Sequence, residues 1–514
     1  MKNTYVAEIS QKAFPFFKEN CDAFFHKEMA PIQYKGISGS FGSYAERGGE
    51  RAMVRLRFLS GKLAKEQLLY VASAIRKYAI EKIHLTTGQS IQFHHLSGKS
   101  ILSIFQESPA HGVYCLGSGG DHFSSITASP LRGVDKNEYL DISPYVDLAQ
   151  QYQYDHFFEL DLPRKFKIAF TNGADNESHA TLRDLGFTAN RDGTFDVYAA
   201  GGLGPNPQRG IRVGTHIDGD DCLRYLDAML ALYSRYGERK IHSRARSRYL
   251  PASLGQDKFI ALFQTFLALS QKKTFPHAEK AVPLAKEGAD GQAPKNRRIK
   301  AQKQKGLYYI NYKPLCGEPQ RETLLSLCDY LAAIQDAEIR INSDQSLYIV
   351  NLTAAEAEHV AALTAADNAN DDFESSVSCI GAAICQMGIR DSQTLLHTLI
   401  TTLRDRKIDT KFLPKMHLSG CHFSCGTQQI GAIGLRGAVK RIDDSPQPAF
   451  AVLVNGSYEQ GEERFSQEIG IMTEKNLPLF LEALACLLNK ENKPFAAWYA
   501  DHETAFADLV MTFA

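Results

Sequence analysis

Four cysteines in the last third of the chain have a spacing that suits a metal centre. Cys379 and Cys385 stand in "CIGAAIC" with five residues between them, and Cys421 and Cys425 stand in "CHFSC" with three between them. Cysteine is often buried as a small apolar side chain, so either pair alone is also typical of a protein core. Zinc sites favour two to four residues within each pair. Four soft thiolates from two tight, glycine-flanked loops instead suit an iron–sulfur cluster, whose potential is tuned by loop N–H groups.

Composition and charge exclude several classes of protein. The 514 residues include 58 Lys or Arg and 58 Asp or Glu, so no net charge attracts nucleic acid or an anionic membrane. The N-terminal sequence "MKNTYVAEISQKAFPFF" lacks the pattern of a secretory signal, and the most apolar stretch, 259–269, is too short to cross a bilayer. We therefore expect a soluble, cytoplasmic protein, in which disulfides are rare and ten cysteines need another explanation.

The elements that must position these cysteines occur twice along the chain. "EKIHLTTGQSIQFHHLS" (81–97) and "AEIRINSDQSLYIVNLT" (337–353) each read as strand, polar turn and strand, and each follows a stretch of helical periodicity. A further strand precedes each helix, at 52–58 and at 306–312. Strand–helix–strand–turn–strand, given twice, predicts two ferredoxin-like half-units that pair into a central sheet.

A second repeated pattern lies in the rest of the chain. "LPRKFKIAFTNGADNESHATLRDLGFTA" (162–189) has the layout of "LPKMHLSGCHFSCGTQQIGAIGLRGAV" (413–439), and only the second copy carries the thiols. The predicted fold class is therefore α/β (α+β), with duplicated ferredoxin-like half-units and two mixed α/β domains related by a pseudo-two-fold. The predicted domains are half-unit 1 (1–100), α/β domain 1 with a helical tail (101–270), a linker (271–305), half-unit 2 (306–370) and α/β domain 2 (371–514).

The motifs together resemble those of a known family. "CIGAAICQMGIRDS" and "SGCHFSCGTQQIGAIGLRG" resemble the paired cysteine motifs of the sirohaem-dependent sulfite and nitrite reductases. "AMVRLRFLSGKL", "LTTGQSIQFH" and "LPRKFKIA" resemble the three anion-site motifs of the same family, in the same order. The likeness runs from about residue 35 to about residue 495 and includes both copies of each repeat.

The resemblance implies a set of metal ligands. It places a [4Fe–4S] cluster on Cys379, Cys385, Cys421 and Cys425, and it makes Cys425 the thiolate that also bridges to the sirohaem iron. It also implies that both α/β domains bind the sirohaem, and that domain 2 holds the cluster as well. A bridging sulfur would let electrons pass from the cluster to the macrocycle without crossing a gap.

The anion side of such a site requires cations. Sirohaem carries eight carboxylates and the substrate is itself an anion, so burying them requires Lys and Arg nearby. In "RKFK" the alternation places Lys165 and Lys167 on one face of a strand. By motif position the catalytic cations that contact substrate are Arg55, Lys165 and Lys167. The residues expected to contact the sirohaem carboxylates are Gln92, Arg164 and Arg246.

The anion-side motifs depart from the family at several positions. Gly88 stands in "TTGQ" where the family has an arginine, and Ser124 stands where a further arginine is expected. His422 and Phe423 replace a usual Pro-Asn between the last two cysteines. Histidines that can compensate in part, because they titrate near neutrality, are His84, His94, His95 and His422. In "FHH" we expect a strand with one inward and one outward histidine.

The resemblance implies a reductase that depends on an external electron donor. The leading prediction is six-electron reduction of sulfite to sulfide, because Lys167 stands where sulfite-reducing members tend to have Lys and plant-type nitrite reductases Asn. The alternatives are nitrite reduction to ammonia at the same site, a precorrin-3B synthase-like oxygenase, and a non-catalytic electron-transfer or sensor protein. The chain lacks a full flavin or nicotinamide motif, which indicates a ferredoxin or a flavoprotein subunit as donor. A small inorganic anion, sulfite or nitrite, is the expected substrate, and no nucleic acid or membrane is an expected partner.

Overall fold

The computed structural model describes residues 4–157, 159–173, 175–279, 281, 284–288 and 294–514. The chain divides into two compact units. The first comprises Met1–Gly202, Gln208–Tyr312 and Pro319–Ala366, and the second Leu203–Pro207, Lys313–Glu318 and Asp367–Ala514. Within the described ranges, no helix combines the length and the apolar composition needed to cross a membrane.

The helices and strands alternate along most of the chain. The helices are α1 (Thr4–Phe25), α2 (Pro31–Ser38), α3 (Lys65–Lys77), α4 (Gly98–Glu107), α5 (Ser143–Asp155), α6 (Cys222–Tyr236), α7 (Leu250–Leu254), α8 (Gln256–Ser270), α9 (Arg321–Ala332), α10 (Ala354–Leu363), α11 (Ser392–Asp405), α12 (Leu477–Glu491), α13 (Phe495–Tyr499) and α14 (Glu503–Phe513). The strands are β1 (Ser43–Ala45), β2 (Ala52–Arg57), β3 (Lys62–Leu63), β4 (Ile83–Leu85), β5 (Ser90–Leu96), β6 (Phe123–Ala128), β7 (Phe166–Thr171), β8 (Leu185–Ala189), β9 (Phe195–Ala199), β10 (Ile211–Ile217), β11 (Ile299–Ala301), β12 (Tyr308–Tyr312), β13 (Glu338–Ile341), β14 (Leu347–Leu352), β15 (Val377–Ser378), β16 (Met416–Ser419), β17 (Ile433–Ile442), β18 (Ser445–Val454) and β19 (Gln467–Thr473).

The two ferredoxin-like half-units lie in the first unit and share one hydrophobic core. Their strands form two sheets, of order β1-β2-β5-β4 and β11-β12-β14-β13-β3, rather than one continuous sheet. The last strand of the second sheet is β3 from the first half-unit, which pairs antiparallel with β13. The helices that follow the repeated hairpins are capped alike, because Ser97 accepts from the N–H of Ser100 and Thr353 from that of Glu356.

The two mixed α/β regions have the same strand topology. The first sheet has the order β10-β9-β8-β7-β6 and the second β15-β16-β17-β18-β19. In each, the first three strands along the chain run parallel and the last two add antiparallel. The prediction of a mixed fold with duplicated ferredoxin-like and α/β parts is therefore confirmed.

Candidate functional site

The four cysteines lie in the second unit, on the loops that follow two neighbouring parallel strands. Cys379 comes directly after β15, and Cys421 follows β16 after one intervening glycine. Parallel neighbours end at the same edge of a sheet, so the two loops meet there. The backbone N–H of Cys379 donates to the carbonyl of Leu418 at 3.1 Å and joins the first loop to β16.

The sulfur of Cys379 already accepts a hydrogen bond from the second loop. The N–H of Gly420 donates to Cys379 Sγ at 3.2 Å, and Ser392 Oγ lies 3.0 Å from the same sulfur. Burial and the nearby Cys425 raise the pKa of the Cys379 thiol, the amide and hydroxyl partners lower it, and the net value is about 12. A bound cation is therefore needed to hold this sulfur as a thiolate at neutral pH.

Glycines allow the two loops to approach closely. A Cβ at Gly426 would lie 1.8 Å from the carbonyl oxygen of Leu418, and one at Gly420 would lie 2.2 Å from that of Arg390. Cys425 is exposed, and the other three are partly exposed as whole residues.

The donor set fits a four-iron cluster. Among the described residues, no three His, Cys, Asp or Glu side chains are grouped as ligands of a single ion. In a four-iron cluster each thiolate binds a different iron, so the sulfurs lie farther apart than around one ion. Four thiolates on two loops, with an amide N–H already directed at one sulfur, are the donor type that iron–sulfur clusters take.

The anion-side residues lie in the first unit, beginning with a polar face of its first sheet. Arg55 on β2 pairs directly with Gln92 on β5, and Gln92 pairs with His84 on β4. Arg55 Nη1 donates to the carbonyl of Ser118 at 2.8 Å, whereas its Nε is buried without a hydrogen-bond partner among the described residues.

Lys165 lies at the centre of a group of cations, directly before β7. Burial lowers the pKa of Lys165, and Arg55, Arg164 and Arg246 are close enough to lower it further. Tyr44 opposes them and accepts from the N–H of Gly120 at 3.0 Å. Burial raises the pKa of Tyr44, but Lys165 and Arg55 outweigh it and lower the net value.

The buried carboxylate of Asp184 binds Arg246 and the backbone of Lys167. Asp184 is fully buried and accepts from the backbone N–H of Lys167 at 2.8 Å, from Arg246 Nη2 at 2.7 Å and from the hydroxyl of Ser247. Burial lowers the pKa of Arg246, but Asp184 outweighs it and raises the net value. The adjacent guanidinium of Arg183 is also buried, which lowers its pKa to about 10.

Arg164 has a carboxylate partner of its own. It pairs with Asp121, whose other oxygen lies 2.8 Å from Nε2 of His242. Burial raises the pKa of Asp121, but His242 and Arg164 outweigh it and lower the net value. Ser124, which stands where a family arginine is expected, has a buried hydroxyl without a partner among the described residues.

The cation group fits a polyanionic ligand. The Nε atoms of Arg55, Arg183 and Arg246 are buried without partners in the described ranges, so each can donate to an added acceptor. Among the residues that the structure describes, the carboxylates in ion pairs with this group are Asp121 and Asp184, which is fewer than its cations. A tetrapyrrole with many carboxylates supplies the missing charge.

The structure brings together most of the predicted anion-side residues. Arg55, Arg164 and Arg246 surround Lys165, Gln92 lies beside Arg55, and the backbone of Lys167 is held by Asp184. Sequence reasoning missed Tyr44, Asp184 and Arg183. A signal for the last two is present in "RDLGF", where a charged pair precedes an apolar strand.

Two family models match ranges that contain the anion-side residues. A model described as "Nitrite/Sulfite reductase ferredoxin-like half domain" matches residues 44–108, and one described as "Nitrite and sulphite reductase 4Fe-4S domain" matches residues 119–269. The second range is the first of the two α/β copies and ends before Cys379.

Named relatives match most of the chain. An assimilatory ferredoxin-dependent nitrite reductase of Haloferax mediterranei is 25% identical over 444 residues, covering 81% of this chain and 76% of that protein. A ferredoxin–nitrite reductase of Synechococcus elongatus is 26% identical over 421 residues, covering 79% and 80%. A ferredoxin sulfite reductase of Mycolicibacterium paratuberculosis is 24% identical over 468 residues, covering 87% and 81%.

A solved structure shares the fold. The Mycobacterium tuberculosis NirA protein superposes with a TM-score of 0.75 at 20% identity, covering 94% of this chain and 92% of that one. The matched half-unit and α/β models and the named relatives agree in family and reaction class. Over most of its length the chain is similar to the sirohaem-dependent nitrite and sulfite reductases, oxidoreductases that carry a [4Fe–4S] cluster and sirohaem.

Proposed function

We propose that the protein reduces sulfite to sulfide in a six-electron reaction. The observation that carries the proposal is the group of cations around Lys165, whose charge exceeds that of its carboxylate partners. Sulfite is preferred because Lys167 adds a second ammonium at the position where plant-type nitrite reductases have Asn. Nitrite reduction to ammonia is the second candidate, and it is supported by the nitrite reductases among the relatives.

The proposed roles follow the positions of the residues in the motifs. Arg55, Lys165 and Lys167 bind the oxygen atoms of the anion. Because burial lowers the pKa of Lys165, its ammonium gives up a proton more readily than a solvated lysine does. The residues proposed to hold the sirohaem carboxylates are Gln92, Arg164 and Arg246, and those proposed to hold the cluster are Cys379, Cys385, Cys421 and Cys425. When bound, the sirohaem and the cluster would supply electrons to the anion, and Cys425 would be a ligand of both.

The domain assignment and the electron donor are parts of the same proposal. We assign residues 1–100 and 306–370 to the half-units, 101–270 and 371–514 to the cofactor-binding domains, and 271–305 to the linker. In the linker, residues 280, 282, 283 and 289–293 lie outside the described ones, and residues 299–301 form β11 of the second sheet. A ferredoxin is the donor best supported, because the relatives are ferredoxin-dependent by name.

A turnover assay on purified protein tests the proposed reaction. With reduced methyl viologen as donor, we expect sulfide from sulfite at a higher kcat/KM than ammonia from nitrite. If ammonia is formed from nitrite at the higher kcat/KM, nitrite reduction becomes the preferred function and sulfite reduction the second candidate. Sirohaem absorbance without turnover of either anion would favour a non-catalytic electron-transfer role, for which the departures at Gly88 and Ser124 argue. Absence of tetrapyrrole absorbance would contradict the proposal.

Lys167→Asn tests the residue proposed to select the substrate. Replacing the ammonium by a neutral amide weakens binding of the dianion sulfite more than of the monoanion nitrite. We expect the ratio of kcat/KM for sulfite to that for nitrite to fall about tenfold, on the scale of one charge-assisted hydrogen bond. Lys165→Asn is the matched control and should lower both values. An unchanged ratio in Lys167→Asn would remove Lys167 as the selector.

A further inference from the structure

A buried histidine and a buried glutamate form a pair in the first unit that the proposed roles do not use. Nδ1 of His94 lies 3.0 Å from Glu46 Oε1, and the side chain of His94 is 1% exposed. The second carboxylate oxygen of Glu46 lies 2.8 Å from Nδ1 of His95, whose side chain is 54% exposed. "FHH" thus directs one histidine inward and one outward, as expected from the sequence, but a single carboxylate binds both.

The backbone explains how adjacent histidines reach one carboxylate. The pairing of β2 with β5 is irregular beyond Val54 and Phe93, and His95 has a left-handed φ of 60°. This irregularity turns the second ring back toward the first. Glu46 follows β1, and one of its oxygens also accepts from the backbone N–H of His95 at 2.9 Å.

The pair fixes the tautomer of His94. Burial raises the pKa of Glu46, but its bonds to His94 and His95 outweigh it, so the net pKa is lowered and the group is a carboxylate. A carboxylate accepts only, so Nδ1 of His94 carries the proton that it donates. Nε2 is then a lone-pair acceptor, and it is buried with no hydrogen-bond partner among the described residues.

The unpartnered atom belongs to the polar face that carries the candidate anion site. His94 lies two residues after Gln92 on β5, and the His84 and His94 ring centroids are 6.5 Å apart. The intervening Phe93 points the other way, into the hydrophobic core. His94 Nε2 is therefore on the same side of the sheet as Arg55 and Gln92.

We infer that Glu46 and His94 form a proton relay that serves this anion site, with Nε2 of His94 as the atom that gains and loses the proton. The inference rests on the proposed function and holds for either substrate, because both reductions consume protons. Sulfite, six electrons and eight protons give hydrogen sulfide and three waters; nitrite, six electrons and eight protons give ammonium and two waters. The electrons come from the external low-potential donor.

The relay step is a proton transfer in two parts. A water gives a proton to Nε2 of neutral His94, the hydroxide left behind takes up a proton from bulk solvent, and the resulting imidazolium is stabilised by the carboxylate of Glu46 at Nδ1. The imidazolium then donates the Nε2 proton toward the bound anion or its reduced forms and returns to the neutral tautomer. His94 carries one proton at a time, and Glu46 remains ionised throughout.

The charged groups around His94 decide its resting state. Burial lowers the pKa of His94 and Glu46 raises it, while Lys82 and His95 lower it, with a lowered pKa as the net result. The ring is therefore neutral at rest near pH 7. His84, the other ring on this face, lies 3.2 Å from the amide nitrogen of Gln345.

Variants of the two adjacent histidines test the relay with a matched control. Gln at position 94 can accept a hydrogen bond but cannot carry a proton, so His94→Gln should lower kcat on the order of 10²-fold for either anion. KM, visible absorbance and iron content should stay unchanged. His95→Gln keeps the Glu46–His94 pair and should leave kcat within about twofold. Unchanged turnover in His94→Gln, or an equal loss in His95→Gln, would overturn the relay.

A second readout does not depend on turnover. In holoprotein with ¹⁵N-labelled histidine rings, the difference between wild-type and His94→Gln spectra should show a neutral ring protonated at Nδ1. Glu46→Gln should reverse this tautomer, because an amide N–H can donate to Nδ1. A wild type that reduces neither anion but shows this tautomer would refute the proposed function alone. An Nε2-protonated ring in the wild type would refute the relay whatever the turnover.

Discussion

The two α/β regions have matching loops at the same edge of their sheets, but only one carries thiols. Gly186 and Gly434 mark the same position, since a Cβ at either would lie against a loop carbonyl, Ala180 O at 1.8 Å and Gln428 O at 2.1 Å. The strands that carry these glycines pair in the same way, Gly186 with Ala169 and Gly434 with His417. The two loops can therefore be compared residue by residue.

Hydrogen bonds repeat from one copy to the other. The N–H of Asn172 donates to Ser129 Oγ at 3.2 Å, as the N–H of Gly420 donates to Cys379 Sγ at 3.2 Å. The left-handed residues of the second loop, Ser424 and Thr427, have counterparts in Asn176 and His179. By this correspondence the positions of the four cysteines are occupied in the first copy by Ser129, Asp135, Gly173 and Glu177.

The comparison separates what the backbone does from what the side chains do. The loops of one α/β region carry four thiols, and the corresponding loops of the other carry none. The backbone path of these loops therefore does not by itself specify a metal centre. In the first copy, Tyr309 packs with Val134, and Asp135 and Glu177 lie close enough to raise its pKa further after burial has raised it. The charged residues Arg183 and Asp184 are found only in the first copy. The corresponding residues in the second copy are Gly431 and Ala432.

The largest expected effect comes from removing the proposed bridging thiol. Cys425→Ser should abolish turnover and most of the visible absorbance, because an alcohol is a poor ligand for iron–sulfur clusters. Iron and acid-labile sulfide, measured on anaerobically prepared protein, check the loss. Glu177→Ser, at the corresponding position of the first loop, should leave iron, sulfide and absorbance unchanged. Equal iron and sulfide in wild type and Cys425→Ser would contradict the cluster assignment.

The next largest effect comes from the carboxylate that only the first copy has. Asp184→Asn leaves the buried Arg246 without its ion-pair partner and should lower the free energy of unfolding of holoprotein by about 3–5 kcal/mol. Urea denaturation measures the loss. Asp405→Asn, an exposed aspartate at the end of α11, should change stability by less than about 0.5 kcal/mol. A loss below about 1 kcal/mol in Asp184→Asn would show that Asp184 does not hold Arg246.

The shared glycines give a smaller and symmetrical effect. Gly186→Ala and Gly434→Ala each place a methyl group against a backbone carbonyl and should each destabilise holoprotein by about 1–3 kcal/mol or more. Gly173→Ala is the control, because a Cβ there has no heavy atom within 4 Å. Thermal or urea unfolding compares the three. If only one of Gly186→Ala and Gly434→Ala lowers the free energy of unfolding, the two glycines do not occupy equivalent positions in the two copies.

The smallest effect is expected at the serine that takes the place of Cys379. Ser129→Ala removes the acceptor of the Asn172 N–H and should cost about 1 kcal/mol of unfolding free energy. Ser129→Cys keeps a weaker acceptor, as in the second copy, and should cost less than Ser129→Ala. Equal losses in the two variants would show that the hydrogen bond is not what matters at this position.

The parts predicted from the sequence are those encoded over short distances. The cysteine spacing and the doubled hairpins are local patterns, and the structure contains both hairpins. The contacts that sequence reasoning missed join distant segments. Asp184 meets Arg246 across 62 residues and Glu46 meets His94 across 48, and a charged residue by itself does not reveal its partner.

The sequence predicted the strands of the half-units but not which sheet each strand joins, for a related reason. Alternating apolar residues predict strands, but they do not show which sheet an edge strand joins. β3 has only Lys62 and Leu63, too few residues for a recognisable pattern, and its partner β13 belongs to the other half-unit.

This short strand has a consequence for synthesis of the protein on the ribosome. Leu63 and Ile339 are paired but lie more than half the chain apart, so the amino-terminal half emerges long before its partner strand exists. Strand pairings between residues so far apart in sequence slow folding, and an edge strand that has not yet found its partner promotes aggregation. Chaperone protection of nascent chains is therefore expected to matter until translation has passed residue 341.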